Sequence, residues 1–385
     1  MQLKTGIAPY WRTPDTIPVV MRQVVYALAP ALAATYWFFG IGIIVNIAVA
    51  CIVALITETA ALKMRGRPVR RYLGDYSAVV TAILIAMCLP PLTPWWVTAS
   101  GALFAIAIAK HMFGGLGYNV FNPAMAGYAA ILLSFPDVLG HWQAPDIGDL
   151  DYPTPDALTT LFFTLTGRLP DGLSIDAISR ATPLDTVQTE LGMMRTVSEI
   201  ATNPLFGDFG GRGWEWIANF VALGGVWLLV RGIIRWQVPV AMLLTLGGLA
   251  ALGYLVDSAR FPGPGFHLFS GGAMLCAFFI ATDPVSGCAT NKGRIIFGAG
   301  IGAFTYLIRT WGSYADGIAF SVLLMNMAAP LIDRYTRPRV FGRTPAVSDP
   351  GTHDPGTHDP ATHDLAANNP VSNDPVSNNE GTTPR

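Results

Sequence analysis

Apolar residues run along this chain in long, nearly uninterrupted stretches. Runs of about bilayer-spanning length, roughly 17 to 25 residues, lie near 21–39, 41–62, 92–112, 118–135, 215–233, 238–256, 295–311 and 315–333. Two shorter runs lie near 77–90 and 268–281. This pattern predicts an all-α integral membrane protein with about ten transmembrane helices, two of them interrupted. Nothing before residue 20 has the apolar core of a cleavable signal peptide, so the first run is expected to direct insertion and stay in the mature chain. Composition agrees: 52% of the 385 residues are hydrophobic, 13% are charged and mean hydropathy is +0.43. A soluble domain of this size would be hard to keep in water with that balance.

Basic residues orient the helices, because loops rich in Lys and Arg stay on the cytoplasmic side. Arg22 precedes or enters the first run, with Lys4 and Arg12 before it, whereas the turn around Gly40 carries no charge. The next loop holds Lys63, Arg65, Arg67, Arg70 and Arg71. Continuing the alternation puts Lys110, Arg231, Arg235, Lys292, Arg294, Arg334, Arg337 and Arg339 on that same side, with both termini cytoplasmic. The segment 136–214 then falls on the external side, and it carries eleven Asp/Glu against four Lys/Arg. Trp37, Trp95, Trp96, Trp142, Trp214 and Trp311 fall near external helix ends, where an ordinary interfacial aromatic belt accounts for them. The four cysteines have no Cys-x-x-Cys spacing, so neither a disulfide framework nor a self-contained iron–sulfur site is expected. No metal site and no nucleic-acid partner is expected either.

The two halves share a plan. Ala82 to Pro91 is a short apolar helix broken at Pro90-Pro91, and Ala273 to Pro284 is another, broken at Asp283-Pro284. By the orientation above the first runs outward and the second inward, as in two inverted five-helix repeats. The expected organisation is a cytoplasmic segment 1–20, a first repeat 21–135, a large external loop 136–214, a second repeat 215–335 and a disordered tail 344–385. Broken helices survive at membrane depth only where protein or a cavity covers the freed backbone, so the two breaks are expected to line one shared polar path. Plain surface loops are the simpler reading of both.

Within 136–214, Asp176-Ala177-Ile178-Ser179-Arg180-Ala181-Thr182 fits the pattern Asp-x-x-Ser/Thr-x-Ala-Thr. It resembles the flavinylation signature, at which a flavin transferase joins FMN to a threonine hydroxyl as a phosphodiester. Thr182 would be the attachment point, with Asp176, Ser179 and Ala181 as motif residues. Arg180 stands where such motifs often have glycine. The competing reading is a helix start, with Ser179 or Thr182 as cap and Pro183 at the first helical position.

Gly115 to Tyr128, which includes Asn119-Val120-Phe121-Asn122-Pro123, together with Ala281-Thr282-Asp283-Pro284-Val285-Ser286, resembles the signatures of the RnfD family and the related NqrB subunits. The resemblance runs from about residue 20 to 340 and includes Cys88-Leu89-Pro90-Pro91. It implies a membrane subunit of a bacterial Rnf complex, which passes electrons between ferredoxin and NAD while moving Na+ or H+ across the cytoplasmic (inner) membrane. It further implies covalent FMN at Thr182, a partner subunit with a second covalent FMN, and riboflavin as an additional flavin. NAD and ferredoxin chemistry would sit on other subunits, and this chain has no Gly-x-Gly-x-x-Gly opening a βαβ unit. No catalytic residue is assigned.

Four further residues are candidates. Asn119 and Asn122 flank a helix start where amides could hold a flavin or an ion, or simply cap the helix. Asp283 at the second break and Glu58 inside the second run are candidates for an ion route. The plainer alternatives are an Asp-Pro turn for Asp283, and headgroup contact or a pair with Lys63 for Glu58. In the tail, His353, His358 and His363 recur beside aspartates without a fixed geometry to select a metal. The functional alternative to a redox subunit is an inverted-repeat solute channel or secondary transporter, and a third reading is a structural scaffold.

Overall fold

A computed structural model describes residues 16–148, 155–170 and 172–337, all within one compact unit, Met1–Pro338. The tail from residue 344, with its three histidines, lies outside the described residues, as do Lys4, Arg12 and Arg339.

Helices occupy all ten apolar runs. The first half contains α1 (Ile17–Phe39), α2 (Gly42–Met64), α3 (Ser77–Met87), α4 (Trp95–Leu103, continued as a π-helix over Phe104–Met112) and α5 (Pro123–Ser134). Between the halves lie α6 (Ala157–Thr166) and α7 (Pro183–Gly192), with β1 (Trp142–Gln143) antiparallel to β2 (Ser179–Arg180). The second half contains α8 (Trp214–Val230), α9 (Gln237–Val256), α10 (Pro264–Phe269), α11 (Ala273–Leu275, continued as a π-helix over Cys276–Ile280), α12 (Asn291–Trp311) and α13 (Ile318–Thr336). By length and composition alone, α1, α2 and α9 can each cross a membrane.

The short apolar runs have a physical cause. Nearly every side chain of α3 and every residue from Ala273 to Ala281 is buried. A helix that is apolar all round and enclosed all round is a core helix, so α3 and α11 form the centre and longer helices surround them. Those outer helices turn Ile52, Ile56, Leu244 and Leu252 outward, leaving large apolar side chains exposed along α2 and α9. An apolar exterior of this extent suits lipid.

Small residues set the closest helix contacts. Gly298 and Gly302 on α12 lie against the backbone carbonyls of Val238 and Met242 on α9, where a Cβ would collide. Gly224 on α8 meets the carbonyl of Ala27 on α1 in the same way. Gly-x-x-x-Gly spacing lets helix backbones approach when lipid supplies no hydrophobic drive between them.

Candidate functional site

Thr182 begins α7. Its Oγ1 accepts the backbone N–H of Asp185 at 3.2 Å, and Pro183 follows at the first helical position. The threonine is therefore the helix cap that the plainer sequence reading anticipates. Its hydroxyl also donates to Asp185 Oδ2 at 2.5 Å. The strand pairs Trp142 with Arg180 and Gln143 with Ser179, holding the chain just before Thr182 against the segment that follows α5. Asp176 lies in the short helix Ile175–Ile178 and is exposed, and Ala181 is exposed beside Thr182. Ser179 is half-buried in β2.

Thr182 and Asp185 open onto a cavity of about 380 Å³. Its walls come from both halves: Cys88 and Pro91 after α3, Tyr128 on α5, Gly271 and Gly272 before α11, and Tyr314 and Asp316 before α13. Trp142 and Trp214 also line it, with ring centroids 4.7 Å apart, and Phe39 stacks edge-on to Trp214 at 4.9 Å. These two tryptophans are half-buried in the cavity wall. The β-ribbon and the start of α8 turn them inward, while Trp37, Trp95, Trp96 and Trp311 remain exposed.

Charge at this cavity is sparse. Asp316 accepts from Gly272 N–H at 2.9 Å and from Arg309 Nη2 at 3.1 Å, and Arg309 is held in turn by the carbonyls of His267 and Ser270. Burial pushes the Asp185 carboxyl above the ordinary carboxylate range. The hydrogen bonds from Thr182 oppose that rise and the charge of Asp316 adds to it.

A second cavity, of about 130 Å³, is lined by Ser77, Thr81, Lys110, Asn119, Asn122 and Asp283 among others. The two helix breaks therefore do not share one path: Leu89-Pro91 borders the larger cavity and Asp283-Pro284 the smaller one. Each cavity is bounded by the end of one central helix and the start of the other. Side chains of α3 and α11 fill the space between them.

The two asparagines at this cavity differ. Asn122 caps α5, accepting from Met125 N–H at 3.2 Å. Its amide donates to the Ile280 carbonyl at 3.2 Å, and its backbone N–H donates to Asn326 Oδ1 at 3.0 Å. It is a structural tie between the halves. Asn119 donates to the Phe121 carbonyl at 3.1 Å, and its Oδ1 is buried with no hydrogen-bond partner among the described residues. Asp283 accepts from Val285 N–H at 3.2 Å and Ser286 Oγ at 2.7 Å, which is the turn geometry expected of Asp-Pro.

Glu58 neither reaches the headgroups nor pairs with Lys63. It is buried, and its partner is Lys110, with Nζ 2.7 Å from Oε2; His111 Nε2 stands 3.2 Å from Oε1. Lys110 also donates to Ser77 Oγ at 2.8 Å, and Ser77 donates to Asp75 at 2.6 Å. A buried charge survives by being paired and hydrogen-bonded, and α2 and α4 pack so that this one is.

A match to the NQR2, RnfD, RnfE family spans residues 4–342. The chain belongs to that family. A protein of Alcanivorax borkumensis, named as the D subunit of an ion-translocating oxidoreductase complex, is 46% identical over 344 residues, covering 89% of this chain and 97% of the relative. A protein of the same name from Salmonella newport is 46% identical over 350 residues, covering 89% and 99%. Its counterpart in Salmonella typhimurium is 45% identical over the same length.

In this RnfD-family chain Asp185 and the Arg309/Asp316 pair were not singled out from sequence, Lys110 was read only as an orientation signal, and Trp142 and Trp214 only as interfacial. Only Asp185 carried a local signal, an acidic residue three positions after a capping threonine. The others meet through contacts distant in sequence.

Proposed function

We propose that this chain is the flavin-carrying membrane subunit of an ion-translocating electron-transfer complex of the Rnf type, with FMN held covalently through a phosphodiester on Thr182. The observation that carries the reading is the place of Thr182 in the wall of a cavity of about 380 Å³ that Trp142, Trp214, Tyr128 and Met125 also line. That volume falls within the roughly 300 to 1,000 Å³ typical of small-molecule sites, and the mostly apolar, aromatic wall with few polar groups suits a planar ring system. When bound, FMN supplies one- and two-electron chemistry tuned by the surrounding charge and hydrogen bonds. Thr182 anchors it, Ser179 and Ala181 hold the approach of the chain, and Asp176 is exposed where a transferase can reach the motif.

In this reading electrons pass to or from a partner subunit carrying a second covalent FMN, riboflavin is a further cofactor, and ferredoxin and NAD react on other subunits. The ten helices span the inner membrane as two inverted repeats, with the segment 136–214 outside and both termini cytoplasmic. The packing supports that plan: α1 lies against α8, α2 lies against α3 and α4 as α9 lies against the π-helical end of α11 and against α12, and α5 meets α13. Na+ or H+ follows the smaller cavity, with Asp283 at its edge, Asn119 offering an oxygen that has no partner among the described residues, and Glu58 behind Lys110.

The test is the intact and peptide mass of the chain expressed with its transferase, for wild type and Thr182→Ala. An FMN-sized addition on Thr182, absent from the variant, is expected. An unmodified wild type beside other, labelled flavoproteins would overturn the reading and favour a solute channel or transporter.

A further inference from the structure

Thr182 and Asp185 pair as a helix cap and its third residue do, but they do so in the wall of a cavity. In a capping box the third helical residue reaches back to the backbone N–H of the cap. The chain contains such a box a few residues on: Glu199 Oε2 accepts from the backbone N–H of Thr196 at 2.8 Å as well as from its hydroxyl at 2.9 Å, on an exposed face. At Thr182 the carboxylate likewise takes the hydroxyl, at 2.5 Å, but this pair is half-buried and borders the cavity. Meanwhile the Asp185 N–H donates to the same oxygen at 3.2 Å and fixes its orientation. The hydroxyl proton is thus directed at a carboxylate while the oxygen is held from the other side.

Resting on the reading of Thr182 as the flavin attachment point, we propose that Asp185 is the base that activates the Thr182 hydroxyl when the flavin is attached. The transferase brings a flavin adenine dinucleotide. Thr182 Oγ1 attacks the flavin-side phosphorus, the Oγ1–P bond forms, the P–O bond to adenosine monophosphate breaks, and that nucleotide leaves. The hydroxyl proton passes to the Asp185 carboxylate and then to solvent, and no electrons are transferred. The acceptor protein supplies its own base, and the transferase need only position the dinucleotide.

The surroundings tune the carboxylate for this task. Burial and the charge of Asp316 make it a stronger base than an exposed aspartate. The charged and titratable groups that share its cavity are Asp316, itself paired with Arg309, and Tyr128, Tyr314 and Cys88. None of them is a cation placed to lower its basicity directly.

The experiment follows adduct formation on the detergent-solubilised, flavin-free full chain with purified transferase and flavin adenine dinucleotide, read by in-gel flavin fluorescence and peptide mass. The substrates are wild type, Asp185→Asn, Asp185→Glu and Thr182→Ala. Asn retains the size and the hydrogen-bond acceptor of the cap but cannot take the proton. Its initial rate is expected to fall by on the order of 100-fold, the scale of general-base catalysis. The ratio of wild-type to Asp185→Asn rates, which removes the transferase's own pH response, is expected to rise with pH as Asp185 ionises and to approach unity in acid. Asp185→Glu, if Asn disturbs folding, is expected to keep a pH-dependent rate. Labelling of Asp185→Asn within twofold of wild type at every pH would overturn the proposal. A wild-type chain that takes no label would instead overturn the assignment of Thr182 itself.

Discussion

Lys110 Nζ lies 2.7 Å from Glu58 Oε2, with the two residues only 2% and 3% exposed. They come from α4 and α2, and Ser77 and Asp75 extend the chain of hydrogen bonds toward the start of α3. Lys110 also forms part of the wall of the smaller cavity. The ammonium therefore sits between a buried carboxylate and the space through which we propose an ion passes.

Removing one partner of this pair should be far worse than removing both. Glu58→Gln or Lys110→Met alone leaves an uncompensated buried charge, a loss of about 3–5 kcal/mol. The double variant should recover most of that. Denaturant unfolding of the four proteins in detergent measures the cycle, and additive losses would contradict the coupling.

The local pattern of the chain made the helices legible, because length and apolarity are properties of single segments. It also narrowed the cap ahead of Pro183 to Ser179 or Thr182, since capping is decided within a few residues, and Thr182 is the one that begins α7. It did not reveal the Glu58–Lys110 pair, whose members lie 52 positions apart, and a lysine at the end of an apolar run reads as a topological signal. The meeting of Trp142 and Trp214 in the cavity wall was hidden for a similar reason, since the two lie far apart in the chain. The two proline breaks were recognisable, but their distribution between two cavities depends on how α3 and α11 are enclosed.

Gly298 and Gly302 should tolerate no larger residue. Their Cβ positions fall on backbone atoms of α9, which cannot rotate away as a side chain could. Gly298→Leu is expected to destabilise the α9–α12 contact by at least the roughly 1–3 kcal/mol of ordinary overpacking. A lower melting temperature in detergent should follow, whereas Gly40→Ala, with open space around its Cβ position, should act only through its positive φ of 71°. Equal melting of Gly298→Leu and wild type would refute the close approach.

Asn326 should matter more than an ordinary polar residue of its helix. It accepts the Asn122 N–H at 3.0 Å and donates to the Ser286 carbonyl at 3.0 Å, tying α13 to the start of α5 and to the turn after α11. Asn326→Leu would leave both groups buried without partners, at about 1–3 kcal/mol each. Hydrogen exchange at the Asn122 amide is the sensitive readout. Protection unchanged in the variant would show that the tie is dispensable.

The Asp185 carboxyl gives the flavin-free chain a pH dependence of known sign. Its pKa in the folded protein lies above the ordinary carboxylate value, with burial the main cause. The folded state therefore binds the proton more tightly than the unfolded one, and this stabilisation is complete below the unfolded pKa of about 3.9. It is lost as pH rises through the folded value. Amide exchange along α7, compared between wild type and Asp185→Asn from acid to neutral pH, should show protection falling with pH in wild type alone. A parallel fall in the variant would assign the effect to another group.

Thr182 combines a structural and a chemical role, and two substitutions separate them. Thr182→Ser keeps both the capping oxygen and the nucleophile, so α7 should remain intact and the flavin should still attach. Thr182→Val keeps the shape and removes both, at a capping loss of about 1 kcal/mol. That is too small to unfold a helix whose Leu184 and Val187 remain buried. Loss of covalent flavin in Thr182→Val, with a normal far-ultraviolet spectrum and melting curve, would therefore report missing chemistry. Flavin fluorescence per polypeptide on denaturing gels distinguishes the variants, and a Val variant that still carries the label would place the attachment on another residue.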